Sequence, residues 1–232
     1  MNSYLVRVLE KNIICENTLS VTLEKPSDFH FVAGQYIVIT LPQEPSVMAH
    51  SFSLASGPQD LSLEIAMRVS QSPFKKAIQS AKIGSNIRIR GPFGVFAIHK
   101  NSARPTVFLA GGIGITPLRS IIRDEAKRNF PAPITLIYAN KKLEACAYYD
   151  EFINIKNKNF SLISIFEEPQ KNWSGEKGFI TAEIIKKYFP DATKPNFYIV
   201  GPTVMVNIVK KIVLGMGVDK NNLFIEAFGG YH

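Results

Sequence analysis

A chain of 232 residues with 46% hydrophobic and 20% charged residues is long enough for two cored domains and too apolar to be disordered or fibrous. The formal net charge of +8 is spread over isolated pairs such as Lys75-Lys76 and Lys210-Lys211, and this dispersion argues against a nucleic-acid surface. Cys15 and Cys146 are too few for a disulfide framework, a four-thiolate zinc site or a protein-held iron–sulfur cluster, and the four histidines show no metal-ligand spacing, so no metal is expected.

From the start of the chain the apolar residues fall in short, mostly alternating runs: Tyr4–Leu9, Thr18–Leu23, Tyr36–Leu41, Ser51–Leu54, Leu61–Arg68 and Ile87–Arg90. Turn residues separate them, including Gly34, Gly57-Pro58, Gly84 and Gly91-Pro92, and evenly spaced short strands of this kind predict a small antiparallel β-barrel. One helix interrupts the pattern: Ser72-Pro73 reads as a cap with a first-turn proline, and Phe74–Ala81 tolerates helix.

Past the polar stretch His99–Pro105 the pattern changes. Compact apolar runs at Val107–Ala110, Ile134–Tyr138, Leu162–Phe166, Phe197–Val200 and Leu223–Ala227 suit strands buried on both faces of a parallel sheet. Helical spacing fills Pro117–Arg128, Ala182–Tyr188 and Val204–Leu214, giving βαβ order. The predicted organisation is therefore an antiparallel barrel over residues 1–100 and an α/β parallel-sheet domain over 101–232. No apolar run approaches the roughly 20 residues that span a bilayer. The first residues lack the basic-then-apolar order of a signal peptide, so the expected location is cytoplasmic.

The strongest local signal is Val107–Leu118, a buried strand, then Gly111-Gly112-Ile113-Gly114, then a helix opening at Ile115-Thr116-Pro117. Glycines let backbone approach an anion, and a helix N-terminus offers free N–H groups to it, so a pyrophosphate can be held there. On spacing alone the same residues also fit a plain tight strand-to-helix turn.

Together with His50-Ser51-Phe52-Ser53, Gly34-Gln35-Tyr36, Gly91-Pro92-Phe93-Gly94, Gly201-Pro202 with Met205, and Glu226-Ala227-Phe228, this segment resembles the ferredoxin–NADP reductase superfamily along nearly the whole chain. The resemblance implies a flavin-binding barrel followed by a nicotinamide-dinucleotide domain, with the flavin ring between them. FAD is favoured over FMN.

By that resemblance His50, Ser51 and Phe52 lie along the flavin, with Phe52 stacking, and Ser53 meets the ring near its reactive nitrogen. His50 stands where the family has an arginine for phosphate, so Arg68 is a candidate replacement. Arg68-Val69-Ser70, then Ser72-Pro73-Phe74, occupy the turn that receives the flavin pyrophosphate in relatives, here without its usual glycines. Gly111, Gly112, Gly114, Ile115, Thr116 and Pro117 are expected at the dinucleotide, with Gly201, Pro202 and Met205 beside them.

Ser53 and Glu226 are the expected catalytic residues, and Phe228 and Tyr231 are expected to cover the nicotinamide side of the ring. Glu167, beside Glu168 after the third parallel strand, would repel a 2′-phosphate and leans the choice toward NADH over NADPH. The expected reaction is hydride transfer from NADH or NADPH to bound FAD, with electrons passing to a separate acceptor such as ferredoxin, flavodoxin or an oxygenase component. Reduction of free flavin, or a non-catalytic flavin-bearing electron-transfer subunit, are the alternatives.

Overall fold

The computed structural model describes residues 2–41, 49–99 and 104–229. The first sheet contains β1 (Ser3–Cys15), β2 (Thr18–Glu24), β3 (Tyr36–Thr40), β4 (His50–Ser53), β5 (Ser62–Arg68) and β6 (Asn86–Phe93), in the order β4-β3-β6-β1-β2-β5 with every pairing antiparallel. Period-two alternation explains it: Ile37 and Ile39 on β3, Ile87 and Ile89 on β6, and Leu63 and Ile65 on β5 all turn into one core. Strand β1 pairs with β6 through Ser3–Arg7 and with β2 from Val8 onward, a register shift at Val8/Glu10 marking the change of partner. Such an irregularity bends a strand, and a single strand shared by two partners curls the sheet around its core.

Helix α1 (Pro73–Ser80) closes one side of this core through Phe74 and Ile78, both 1% exposed. It begins at Pro73 because that position requires no N–H, and it ends at the Ala81 cap.

The second sheet is wholly parallel. It runs through β7 (Thr106–Gly111), α2 (Ile115–Lys127), β8 (Ile134–Asn140), α3 (Tyr149–Ile153), β9 (Phe160–Phe166), β10 (Glu176–Lys177), α4 (Ala182–Tyr188), β11 (Asn196–Pro202), α5 (Thr203–Gly215) and β12 (Leu223–Phe228). Its order is β10-β9-β8-β7-β11-β12. All of β7 is buried because its alternate residues feed two cores: Phe108 and Ala110 face α2 and α3, while Val107 and Leu109 face α4 and α5. Truncating Phe108 or Leu109 to alanine is expected to cost about 2–5 kcal/mol.

The apolar runs locate every strand except β10, and some bounds move. Strand β1 continues to Cys15 rather than stopping at Leu9, since β2 supplies ladder partners as far as Thr18. The short α3 and β10 carry too few residues for a periodic signal. Helix α2 starts two residues before Pro117, which is tolerated in the first turn where no N–H bond is needed. The expected boundary at 100/101 falls on residues 100–103, outside the described residues.

Candidate functional site

The chain leaves β7 toward β8 and β9 on one side and later returns to build β11 and β12 on the other, so the connections diverge between β7 and β11. In open α/β sheets such a reversal leaves a crevice beyond the carboxyl ends of the strands. Register places Ala110, Val200 and Glu226 side by side across β7, β11 and β12, which brings the glycine turn, Gly201-Pro202 and Glu226 to one rim.

The end of β4 faces this rim across a cleft of about 640 Å³. Phe52, Ser53 and Arg68 line it from the antiparallel side, Ile113 and Thr116 from the glycine turn, and Pro202, Glu226 and Phe228 from the far strands. The Ser53 hydroxyl donates to Glu226 Oε1 at 3.0 Å across 173 residues of sequence. Burial raises the Glu226 carboxyl above the usual carboxylate range, against the opposing pull of the Ser53 bond.

The aromatic wall is built from local contacts. Phe74 stacks on Phe52 at 5.9 Å between centroids and lies tilted against His50 at 4.2 Å. Burial first, and the neighbouring Lys75 second, lower the His50 pKa, so its imidazole is less charged near neutrality than an exposed histidine. Lys75 also lines the cleft, a second cationic side chain beside Arg68, the candidate replacement for the arginine that His50 displaces. It lies two residues after Pro73 in the first turn of α1, and that position was the available signal.

The glycine turn divides its roles. Gly112 has φ +53°, a left-handed conformation that a side chain resists. Gly111 and Gly114 are needed for packing: a Cβ on Gly111 would lie 2.1 Å from Met205 Sδ, and one on Gly114 would lie 2.7 Å from Gly201 Cα and the Val200 carbonyl. The Thr116 hydroxyl donates to the Ile113 carbonyl at 3.2 Å and fixes the turn.

Several expected contacts move under this geometry. Met205 fills the notch left by Gly111 and Gly201, so it is a packing residue beneath the turn. Ile115 is fully buried and its N–H is engaged by the Gly112 carbonyl, while Pro117 is buried within α2, so both support the turn from behind. Phe74 is a buried wall behind Phe52 rather than a lining residue. The Val69 N–H donates to the Asn17 carbonyl at 2.8 Å and is engaged before any phosphate arrives.

Arg68 does line the cleft, but its guanidinium donates to Thr18 Oγ1 at 2.6 Å, to the Glu16 carbonyl at 2.9 Å and to the Ala145 carbonyl at 3.0 Å. It thereby bridges the two sheets. Ser51 lies in the cleft wall, whereas Ser70, Ser72 and Pro73 lie in the turn between the lining residues Arg68 and Lys75. Ser70 accepts the Ser72 N–H at 3.4 Å. Glu167 is exposed at the end of β9, and Glu168 beside it pairs with Lys141 at 3.2 Å. Tyr231 lies outside the described residues. Tyr36, Val95 and Phe96 complete the cleft without having been singled out as site residues; Tyr36 followed the Gly34-Gln35 motif, and Val95-Phe96 follow Gly94.

An apolar cleft with one aromatic wall, a hydroxyl–carboxyl pair, two cationic side chains and a helix start fits an isoalloxazine ring carrying a diphosphate. No metal-binding cluster occurs among the described residues. The fold and cleft define a two-domain oxidoreductase that joins a flavin to a nicotinamide dinucleotide.

Residues 3–116 match the model of an FAD-binding domain, and residues 108–211 match that of an oxidoreductase NAD-binding domain. The chain is 31% identical over 207 residues to a subunit of the Na(+)-translocating NADH-quinone reductase of Marinomonas sp. (strain MWYL1), covering 86% of this chain and 49% of that protein. The corresponding subunit of Klebsiella pneumoniae subsp. pneumoniae is 32% identical, with 81% and 50% covered. The chain thus spans about half the length of these curated relatives.

Among solved structures, the ferredoxin reductase in carbazole 1,9a-dioxygenase superposes with a TM-score of 0.85 at 22% identity, covering 98% of this chain and 69% of that one. A ferredoxin NADP+ reductase from Neisseria gonorrhoeae with bound FAD and NADP gives 0.83 at 18% identity, with 99% of both chains covered. The chain thus joins an FAD-binding domain to an oxidoreductase NAD-binding domain, and it shares the fold of the ferredoxin–NADP reductase superfamily.

Proposed function

We propose that the chain takes hydride from NADH into FAD held against Phe52 and Ser53 and passes electrons to a separate protein acceptor. One observation carries the reading: Ser53 from the antiparallel sheet meets Glu226 from the parallel sheet on the same cleft that Ile113 and Thr116 of the glycine turn line. The flavin, when bound, supplies the redox chemistry, taking two electrons together and releasing them onward. Backbone N–H groups at the start of α2 hold the dinucleotide pyrophosphate, and Lys75 with Arg68 balances the flavin phosphates.

Glu226, its carboxyl pKa raised by burial, accepts the Ser53 hydroxyl at Oε1, which places a titratable group and a hydroxyl together on the wall where the ring nitrogen is expected. Pro202 and Phe228 exclude water from that wall. NADH is favoured because Glu167 stands exposed after β9, where a 2′-phosphate would meet its charge. That the relatives are named as a reductase subunit supports delivery to a partner, and a cytoplasmic site of action goes with the use of NADH.

The purified chain is expected to show flavin absorption and to bleach on addition of NADH, faster than with NADPH. Absence of flavin bands, with no uptake of added FAD and no NADH oxidation by a dye acceptor, overturns the proposal.

A further inference from the structure

Behind the cleft the two sheets are tied together by charged side chains withdrawn from water. Arg119 is 7% exposed and sits three residues after Thr116, on the helix whose start forms the nucleotide cradle. Its Nη1 donates to Glu64 Oε2 at 2.7 Å and to the Ala55 carbonyl at 3.1 Å, both in the antiparallel half. Its Nε donates to Glu151 Oε2 at 2.7 Å on α3. Tyr148 covers the guanidinium, 3.9 Å from ring centroid to Cζ, and donates its hydroxyl to Glu64 Oε1 at 2.8 Å.

The next residue, Ser120, is fully buried and donates to the Ser56 carbonyl at 2.6 Å. Ala55 and Ser56 follow directly on Ser53-Leu54. One helix therefore presents its first turn to the dinucleotide and, one turn later, grips the end of the segment that faces the flavin. One turn further on, Arg123 repeats the bridge, donating to Asp60 at 2.9 Å and to Glu151 at 3.0 Å.

We propose that Arg119 is a positioning residue which, with Glu64 and Ser120, sets the distance between the nicotinamide held on α2 and the flavin held beside Ser53. The inference rests on the hydride path proposed above. A guanidinium in this place does what an ammonium cannot: its rigid fork reaches two carboxylates and a carbonyl on three separate segments at once. Exposed ion pairs hold geometry poorly, whereas a largely buried guanidinium bonded to several segments at once resists rotation. Hydride transfer needs its reacting atoms about 3–3.5 Å apart, and a displacement of about 1 Å costs on the order of 100-fold in rate. A small rotation of α2 against the end of β4 is a displacement of that kind.

The test compares the full chain with Arg119→Lys, with the charge-balanced pair Arg119→Gln and Glu64→Gln, and with Ser120→Ala. The expected result is flavin content and NADH affinity within about threefold of the parent. Flavin reduction at saturating NADH slows by about tenfold to a hundredfold in the double variant, less in Arg119→Lys and least in Ser120→Ala. In flavin-free protein, amide hydrogen exchange across Leu54–Asp60 and the first turns of α2 rises about tenfold in the same order.

Parental reduction rates in a folded Arg119 variant overturn the proposal, as does a slow rate traced wholly to lost flavin or NADH affinity. Unchanged hydrogen exchange overturns it as well. If the double variant does not fold, Arg119→Lys and Ser120→Ala decide, because each removes hydrogen bonds without leaving an isolated buried carboxylate. Failure of the parent chain to take up flavin or respond to NADH strikes instead at the hydride path. The exchange measurement on flavin-free protein still decides whether Arg119 couples the two segments.

Discussion

The antiparallel half furnishes the cleft with Phe52, Ser53, Arg68 and Lys75 from within or just beside its strands and helix, whereas the parallel half reaches it at the ends of β7 and β11 through the turns that follow, at Ile113, Thr116 and Pro202. Strand direction explains the contrast. Parallel strands bring all their carboxyl ends, and the turns that follow, to one rim, while an antiparallel face presents alternate side chains along its length. The first half should therefore respond to changes of chemistry and the second to changes of bulk. Glu226 is the exception, a chemical group delivered by the parallel sheet to a hydroxyl of the other half.

The most damaging single change is expected where the halves are joined rather than within either. Glu64→Ala leaves Arg119 buried with one of its two carboxylate partners gone and is expected to cost about 3–5 kcal/mol, read as a lower denaturant midpoint. Next comes the chemical exception. Glu226→Gln keeps an acceptor for Ser53 but removes the titrating proton, and is expected to slow flavin reduction about 100-fold in stopped-flow measurement, with flavin content unchanged.

The same variant tests a sign. Because burial raises the Glu226 pKa above its unfolded value, its contribution to stability is complete below the ordinary carboxylate range and is lost as pH rises through the folded value. Glu226→Gln should therefore flatten that part of the stability–pH curve, and an unchanged curve would show that the carboxyl titrates normally.

A change of bulk should strike the parallel side alone. Gly114→Ala places a methyl against backbone at Gly201 and is expected to cost about 1–3 kcal/mol, raising the NADH dissociation constant while FAD stays bound. The smallest effect belongs to the exposed rim. Glu167→Gln should shift the ratio of NADPH to NADH turnover by about fivefold, corresponding to roughly 1 kcal/mol of screened repulsion.

Much of this arrangement was legible in the sequence because it is encoded locally. Period-two runs gave the barrel strands, continuous apolar runs gave β7, β8, β9 and β11, and the glycine turn lay where strand gives way to helix. The Ser53–Glu226 pairing was approachable only through motif order, since nothing within either segment points to the other. The Arg119 cluster was invisible: an arginine, a glutamate and a serine inside ordinary elements have no spacing that betrays burial. Gly111 carries a second reason that its neighbourhood did not announce: its missing side chain makes room for Met205.

The hydrogen bond between Ser53 and Glu226 also has a consequence for synthesis. A ribosome that has just made the flavin-facing strand must add 173 more residues before the partner of that serine exists. All strands of the first sheet lie within residues 3–93, so its core residues are complete long before the wall shared by Ser53 and Glu226 is. The cleft wall becomes whole only when β12 takes its place beside β11, which makes the last strand of the sheet the one that completes the cleft.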